Sequence, residues 1–140
     1  MPMQSTTPIP LGELFEHFAR GDLDAFLAGC SDRLILMARG AADEVTMVPR
    51  DRLQAWLGAQ DALTGGTLRA QVCLALSMSD EHVVILRHSF VRDGERQSYE
   101  TINRCSFRYG LLRGWSSLPF DMHEYRRAWL ADSPVGYALS

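Results

Sequence analysis

The hydrophobic positions change period once along the chain. Leu11, Leu14, Phe15 and Phe18 recur at i, i+3, i+4 and i+7, which places them on one face of a helix running to Arg20. Gly21 can end that helix, because glycine accepts the left-handed conformation there. Asp22 is placed to cap a short second helix through Leu23, Phe26 and Leu27, closed by Gly29. Arg33 to Arg39 is a brief apolar run suited to a strand. Gly40 to Val48 reads as a loop. Pro49 starts a third helix with Leu53, Trp56 and Leu57 as its stripe, where a missing N–H costs nothing. Thr64-Gly65-Gly66 breaks it.

From Leu68 the period becomes two. Leu68, Ala70, Val72, Leu74, Leu76 and Met78 alternate with Arg69, Gln71, Cys73, Ala75 and Ser77, so one face is expected to be the more apolar. His82 to Arg92 forms a second strand of this half. Asp93-Gly94 is a hairpin turn, since both residues tolerate positive φ. Gln97 to Tyr109 and Leu112 to Leu118 follow as strands around Gly110, and Pro119 closes the last. Asp121 to Leu130 can form a terminal helix with a weak stripe. Helices first and an antiparallel meander after them predict an α+β domain, with the helices on one sheet face.

Alternation also predicts which face is inside. Val84, Leu86, His88 and Phe90 share one face, while Val83, Ile85, Arg87, Ser89 and Val91 share the other. Burying an unpaired Arg87 would be costly, so the His88 face is the inner one. On the next strand Tyr99, Thr101, Asn103, Cys105 and Phe107 point the same way, opposite Glu100, Arg104 and Arg108. An apolar pocket with His88 and Asn103 among its few polar groups is the expected result. The outer face keeps Val83, Ile85 and Val91, which suits a partner subunit.

Composition narrows the classes. At 140 residues the chain fits one domain, expected over 11–130, with a loose lead-in at 1–10 and a tail at 131–140. A net charge of −3 argues against a nucleic-acid binder, which normally carries a basic excess. Cys30, Cys73 and Cys105 are odd in number and widely spaced, which fits neither a disulfide framework nor a zinc site and points to a reducing, cytoplasmic setting. No apolar run is long enough to span a bilayer. The N-terminal segment lacks the positive start and apolar stretch of a secretory signal. His17, His82 and His123 form no metal-ligand spacing, so neither a metal nor a cofactor is expected.

Three stretches, FARGDLDAFLAGCSDRLILM (18–37), PRDRLQAWL (49–57) and INRCSFRYGLLRGWSSL (102–118), occur in an order and spacing that resemble the nuclear transport factor 2-like superfamily. The members most similar are the SnoaL-like polyketide cyclases and the ketosteroid isomerases. The resemblance covers roughly residues 11 to 120, a one-domain span. It implies a cystatin-like roll: a cone-shaped curved sheet, antiparallel or mixed, packed on three N-terminal helices around a cavity. It also implies homodimers formed through the outer sheet face. Leu14, Phe18, Trp56, Leu86, Phe90, Tyr99, Cys105, Trp115 and Ser117 are the expected pocket residues.

The same resemblance tests the chemistry. Ketosteroid isomerases use a carboxylate base, with a tyrosine and a protonated aspartic acid on the oxyanion; this enzyme is a standard illustration of tuned acidity. Here the base position falls on Ala38, the tyrosine position on Leu14 and the aspartic acid position on Asn103. An amide can donate to a carbonyl oxygen but cannot abstract a proton, so that mechanism is rejected. The aspartate–arginine–aspartate set of the superfamily's epoxide hydrolases also fails, because the inward strand positions offer no carboxylate. SnoaL-type cyclases use an internal acid/base group, and His88 is the inward candidate, with an ordinary pKa of ~6.5. Asn103 beside it could polarise a carbonyl. Three readings stay open: a cyclase- or isomerase-like enzyme using His88 and Asn103, a non-catalytic domain holding an apolar small molecule, and a homodimeric interaction domain. In the latter two, His88 is simply a satisfied buried histidine.

Overall fold

The computed structural model describes residues 9–39 and 44–130. Ten elements follow one another: α1 (Leu11–Ala19), α2 (Leu23–Ala28), β1 (Cys30–Arg39), β2 (Val45–Pro49), α3 (Arg50–Leu63), β3 (Arg69–Met78), β4 (Glu81–Arg92), β5 (Glu95–Arg108), β6 (Leu111–Pro119) and α4 (Met122–Leu130). The six strands make one unclosed sheet in the order β2-β1-β6-β5-β4-β3. All neighbours are antiparallel except β1 and β6, which run parallel. The fold is therefore α+β with a mixed sheet. The expected lead-in and tail fall mainly on residues 1–8 and 131–140, outside the described residues.

The helix signals act as the pattern predicts. The Asp22 carboxylate accepts from the Ala25 N–H at 3.2 Å and starts α2. Pro49 sits immediately before α3, and Thr64 ends it. The Arg50 guanidinium donates to the Leu27 and Cys30 carbonyls at 2.7 and 3.0 Å, tying α3 to the α2–β1 junction. Each hairpin turn holds residues at positive φ: Ser79, Asp93-Gly94 and Tyr109-Gly110. For Asp93-Gly94 and Tyr109-Gly110, two residues at positive φ match the twist of the flanking strands.

Two expectations need correction. The segment read as a loop from Gly40 to Val48 contains β2, which pairs with β1 from Ile35↔Pro49 to Arg39↔Val45. It has few residues and lies on a sheet edge, so its pattern is too short to register as a strand. Positions 40–43 lie outside the described residues. The second correction concerns β3. Its pairing with β4 slips between Val72↔Leu86 and Leu74↔Ile85, leaving Cys73 as an extra residue. This bulge reverses the alternation. Ala70 and Val72 face inward, but Leu74, Leu76 and Met78 turn to the outer face, 47%, 43% and 58% exposed. Ala75 takes the inner position beneath α1, where a Cβ on Gly12 would meet its methyl at 3.6 Å.

The inner face carries two apolar clusters. The larger gathers Leu14, Phe15, Phe26, Leu34, Leu36, Leu53, Val84, Leu86, Leu112 and Trp115 under α1–α3. The smaller joins Phe90, Tyr99, Tyr125 and Ala128 under α4. On β4 and β5 the predicted faces hold: Val84, Leu86, Phe90, Tyr99, Thr101, Asn103 and Cys105 are buried, and Arg87 and Arg104 are exposed.

A cavity between the helices and the sheet

Between the two clusters the inner face is not filled. A cavity of about 560 Å³ lies there. The end of α1 and the start of α2 contribute Phe18, Arg20 and Leu23; β1 contributes Leu36, Ala38 and Arg39; α3 contributes Trp56, Leu57, Gln60 and Asp61. The remaining wall includes Leu68 just before β3, Arg69 and Ala70 of β3, Leu86 and His88 of β4, and Tyr99, Thr101 and Asn103 of β5. Trp115, Ser117, Pro119 and Tyr125 complete it. Size and lining are those of a small-molecule pocket: mostly apolar, with a few polar groups.

Register brings the polar groups together. His88 faces Tyr99 across the β4–β5 ladder, Leu86 faces Thr101, and Val84 faces Asn103. Asn103 in turn faces Ser117 on β6. Period two keeps all of these on the inner face. The His88 ring stacks on Tyr99 with centroids 4.9 Å apart and planes 16° apart. His88 Nε2 lies 2.9 Å from Thr101 Oγ1. Asn103, fully buried, donates from Nδ2 to Thr101 Oγ1 at 2.9 Å and to the Val84 carbonyl at 3.2 Å. Trp115 Nε1 donates to Asn103 Oδ1 at 2.8 Å.

Burial sets the charge state. Surrounding protein desolvates the imidazolium and lowers the His88 pKa to about 4, even though one edge of the ring borders the cavity. His88 is therefore neutral near pH 7. The same effect raises the Tyr99 phenol well above its ordinary value. Burial pushes Cys30 and Cys105 up to about 12, so both remain thiols and act as small apolar side chains.

Of the eleven residues expected at the site, His88, Asn103, Phe18, Trp56, Leu86, Tyr99, Trp115 and Ser117 border the cavity. Leu14, Phe90 and Cys105 do not. Leu14 is 1% exposed and points into the core beside Gly29, whose added Cβ would lie 2.7 Å from its Cδ1. Phe90 lies past the cavity and packs on Trp129 with centroids 4.7 Å apart. Cys105 is two residues beyond Asn103 on the same face, opposite Trp115, and does not line this cavity. Asp61 and Tyr125 were missed. Asp61 is the carboxylate on the wall among the described residues, and it comes from a helix rather than an inward strand position. One of its oxygens, Oδ1, accepts from the Leu68 N–H at 3.0 Å. Tyr125 donates to the Arg39 carbonyl at 2.8 Å. Its spacing with Met122 and Trp129, i, i+3 and i+7, was the available signal.

No group of three or more His, Cys, Asp or Glu side chains able to hold a metal occurs among the described residues. Nor is any helix among them long and apolar enough to cross a membrane.

No family model matches the chain, and no curated protein matches it by sequence. Solved structures do match in fold. Bal32a, from a soil-derived mobile gene cassette, superposes with a TM-score of 0.72 over 84% of this chain and 91% of its own, at 19% identity. A protein of unknown function from Burkholderia pseudomallei K96243, described as nuclear transport factor 2-like, gives 0.64 over 84% and 92%, at 16% identity. The chain thus shares the fold of a nuclear transport factor 2-like protein. IdmH of Streptomyces antibioticus, a candidate polyketide cyclase, shares it with a TM-score of 0.65 over 94% of this chain and 97% of its own, at 14% identity. These identities speak for the nuclear transport factor 2-like architecture and leave the chemistry to the cavity's own residues.

Proposed function

We propose that this chain is a SnoaL-like small-molecule-binding domain whose cavity takes a largely apolar ligand carrying a carbonyl or similar oxygen. The observation that carries this reading is a cavity of about 560 Å³ with a mainly apolar lining, in which His88, Thr101, Asn103 and Trp115 form a connected set of polar side chains on the sheet side and Arg20, Arg39, Gln60, Asp61 and Arg69 border the rest. A purely structural role would not require open space beside a stacked His88–Tyr99 pair. The test is native mass spectrometry of the purified protein, followed by calorimetric titration with indan-1-one and indane as probes. Binding of either probe, abolished by Ala70→Phe on the cavity wall, supports the reading. Failure of both to bind overturns it.

A catalytic version of this reading rests on His88, the histidine on the cavity wall among the described residues. It makes the protein a cyclase- or isomerase-like enzyme on a carbonyl substrate, in keeping with the candidate activity of IdmH. Loss of turnover in His88→Gln with ligand affinity retained would support it, and unchanged turnover would end it.

The outer sheet face supports a homodimer. Leu74, Leu76 and Met78 of β3 are 43–58% exposed there, and Ile35 and Met47 are exposed toward the opposite edge of the sheet, apolar side chains that a partner subunit would cover. Sedimentation should give a dimer, and Leu76→Glu should give a monomer. Free Cys30, Cys73 and Cys105 fit a cytoplasmic setting.

A further inference from the structure

The polar series on the cavity floor has a direction, and one end fixes it. An indole N–H only donates, so the amide atom 2.8 Å from Trp115 Nε1 is the Asn103 oxygen. The other end of the amide gives the same answer. Its nitrogen lies 3.2 Å from the Val84 carbonyl and 3.3 Å from the Thr101 carbonyl, which only accept. The Asn103 nitrogen therefore donates to Thr101 Oγ1 at 2.9 Å.

Thr101 has a single hydroxyl hydrogen. Its oxygen lies 2.9 Å from His88 Nε2, and no other acceptor bonds to it among the described residues. If Nε2 carried a proton, that N–H and the Asn103 N–H would both point at Oγ1. The hydrogen of Thr101, a residue only 6% exposed, would then be left without a protein acceptor among the described residues. Buried donors avoid that state. The consistent arrangement runs one way, from Trp115 to Asn103 to Thr101 to His88, with Thr101 donating to Nε2. A neutral imidazole carries one proton, which then sits on Nδ1. Nδ1 makes no hydrogen bond among the described residues and is not among their buried polar atoms that lack one, which leaves it on the cavity side.

We propose that Trp115, Asn103 and Thr101 lock His88 as the Nδ1–H tautomer, so that the cavity offers its ligand a hydrogen-bond donor and selects a carbonyl or enolate oxygen. This rests on the ligand-binding reading and narrows it. Nδ1 already holds its proton and Nε2 is occupied by Thr101, so His88 recognises and polarises an oxygen and does not abstract a proton. Its lowered pKa agrees, because a second proton would turn Nε2 into a donor facing Thr101. Thr101, Asn103 and Trp115 are positioning residues.

The test has two readouts. The first is 15N NMR of histidine-labelled protein at neutral pH, which distinguishes a protonated from an unprotonated ring nitrogen. Nδ1 is expected to be protonated in the native chain and in Thr101→Ser. In Thr101→Val, which lacks the hydroxyl, Nε2–H should become populated. Nε2–H in the native chain overturns the proposal. The second readout is titration with indan-1-one and indane. The ketone should bind about tenfold more tightly, as expected for one added hydrogen bond in a dry site. That preference should survive in Thr101→Ser and shrink in Thr101→Val. Equal affinity of the native chain for both probes overturns the donor role while the pocket stands. If neither binds, the pocket reading falls and ligand selection falls with it, while the NMR still decides the tautomer.

Discussion

The two ends of the inner sheet face treat aromatic rings differently. Under α1 and α2, Phe15, Phe18, Phe26 and Trp115 each touch the other three, with centroids 5.2–6.1 Å apart. Under α4, Phe90, Tyr99, Tyr125 and Trp129 also meet, but α4 is held partly by polar ties. Tyr125 donates to the Arg39 carbonyl, and the Glu100 N–H donates to the Glu124 carboxylate. The cavity lies between the two groups. One end is filled by edge-to-face packing, which supplies stability in large units. The other is closed by a helix on a smaller apolar base, and smaller units leave room for a site.

The largest effect should come from the filled end. Phe26→Ala empties a fully buried position and should cost roughly 3–5 kcal/mol in urea unfolding. A loss below about 1 kcal/mol would mean that the cluster relaxes easily, and the contrast would fail.

Next comes the histidine at the boundary. The folded chain holds His88 neutral down to about pH 4, while the unfolded chain protonates it near 6.5. Between these values the unfolded state binds more protons, so stability falls as pH falls through that window and levels off above it. The loss should be on the order of 3 kcal/mol. Arg20, Arg39, Asp61 and Arg69 share the cavity wall, with Tyr99 stacked on the ring. In His88→Gln this contribution to the pH slope should vanish. A native slope unchanged by the substitution would show that the ring is solvated.

At the α4 end the expected losses are smaller. Tyr125→Phe removes one hydrogen bond and should cost about 1 kcal/mol, with faster amide exchange confined to α4. A cost equal to that of Phe26→Ala would make the two ends equivalent. Smallest of all, Ala70→Phe adds bulk to open space and should change stability by less than about 1 kcal/mol while abolishing probe binding. Destabilisation there as large as in Phe26→Ala would show that the space is not available.

Much of this was legible in the sequence, wherever one physical rule dominates. Strict alternation with Arg87 and Arg104 on one face placed His88, Thr101 and Asn103 inside. Asp22, Pro49 and Asp93-Gly94 marked the starts of α2 and α3 and a hairpin turn. What escaped depended on partners distant in sequence. β2 exists because β1 offers it an edge. Leu74 faces outward because β4 is one residue short of β3 at that point. The depth of a residue along a strand was also hidden: alternation gave Phe90 and Cys105 the correct face but could not tell that the cavity ends before them. Tyr125 reaches the wall from a helix whose apolar stripe, Met122, Tyr125, Ala128 and Trp129, is short.

The slip at Cys73 gives β3 a tolerance to changes in length. The strand carries one residue more than its neighbour needs, and the surplus is stored in a kink that pairs with nothing. Losing Cys73 would leave Val72 and Leu74 in successive rungs of a regular ladder, each on the side it already occupies. A loss a few positions further along could be absorbed by straightening the same kink. The edge of this sheet therefore holds a spare place in its reading frame, and a single-codon deletion there need not turn the strand inside out.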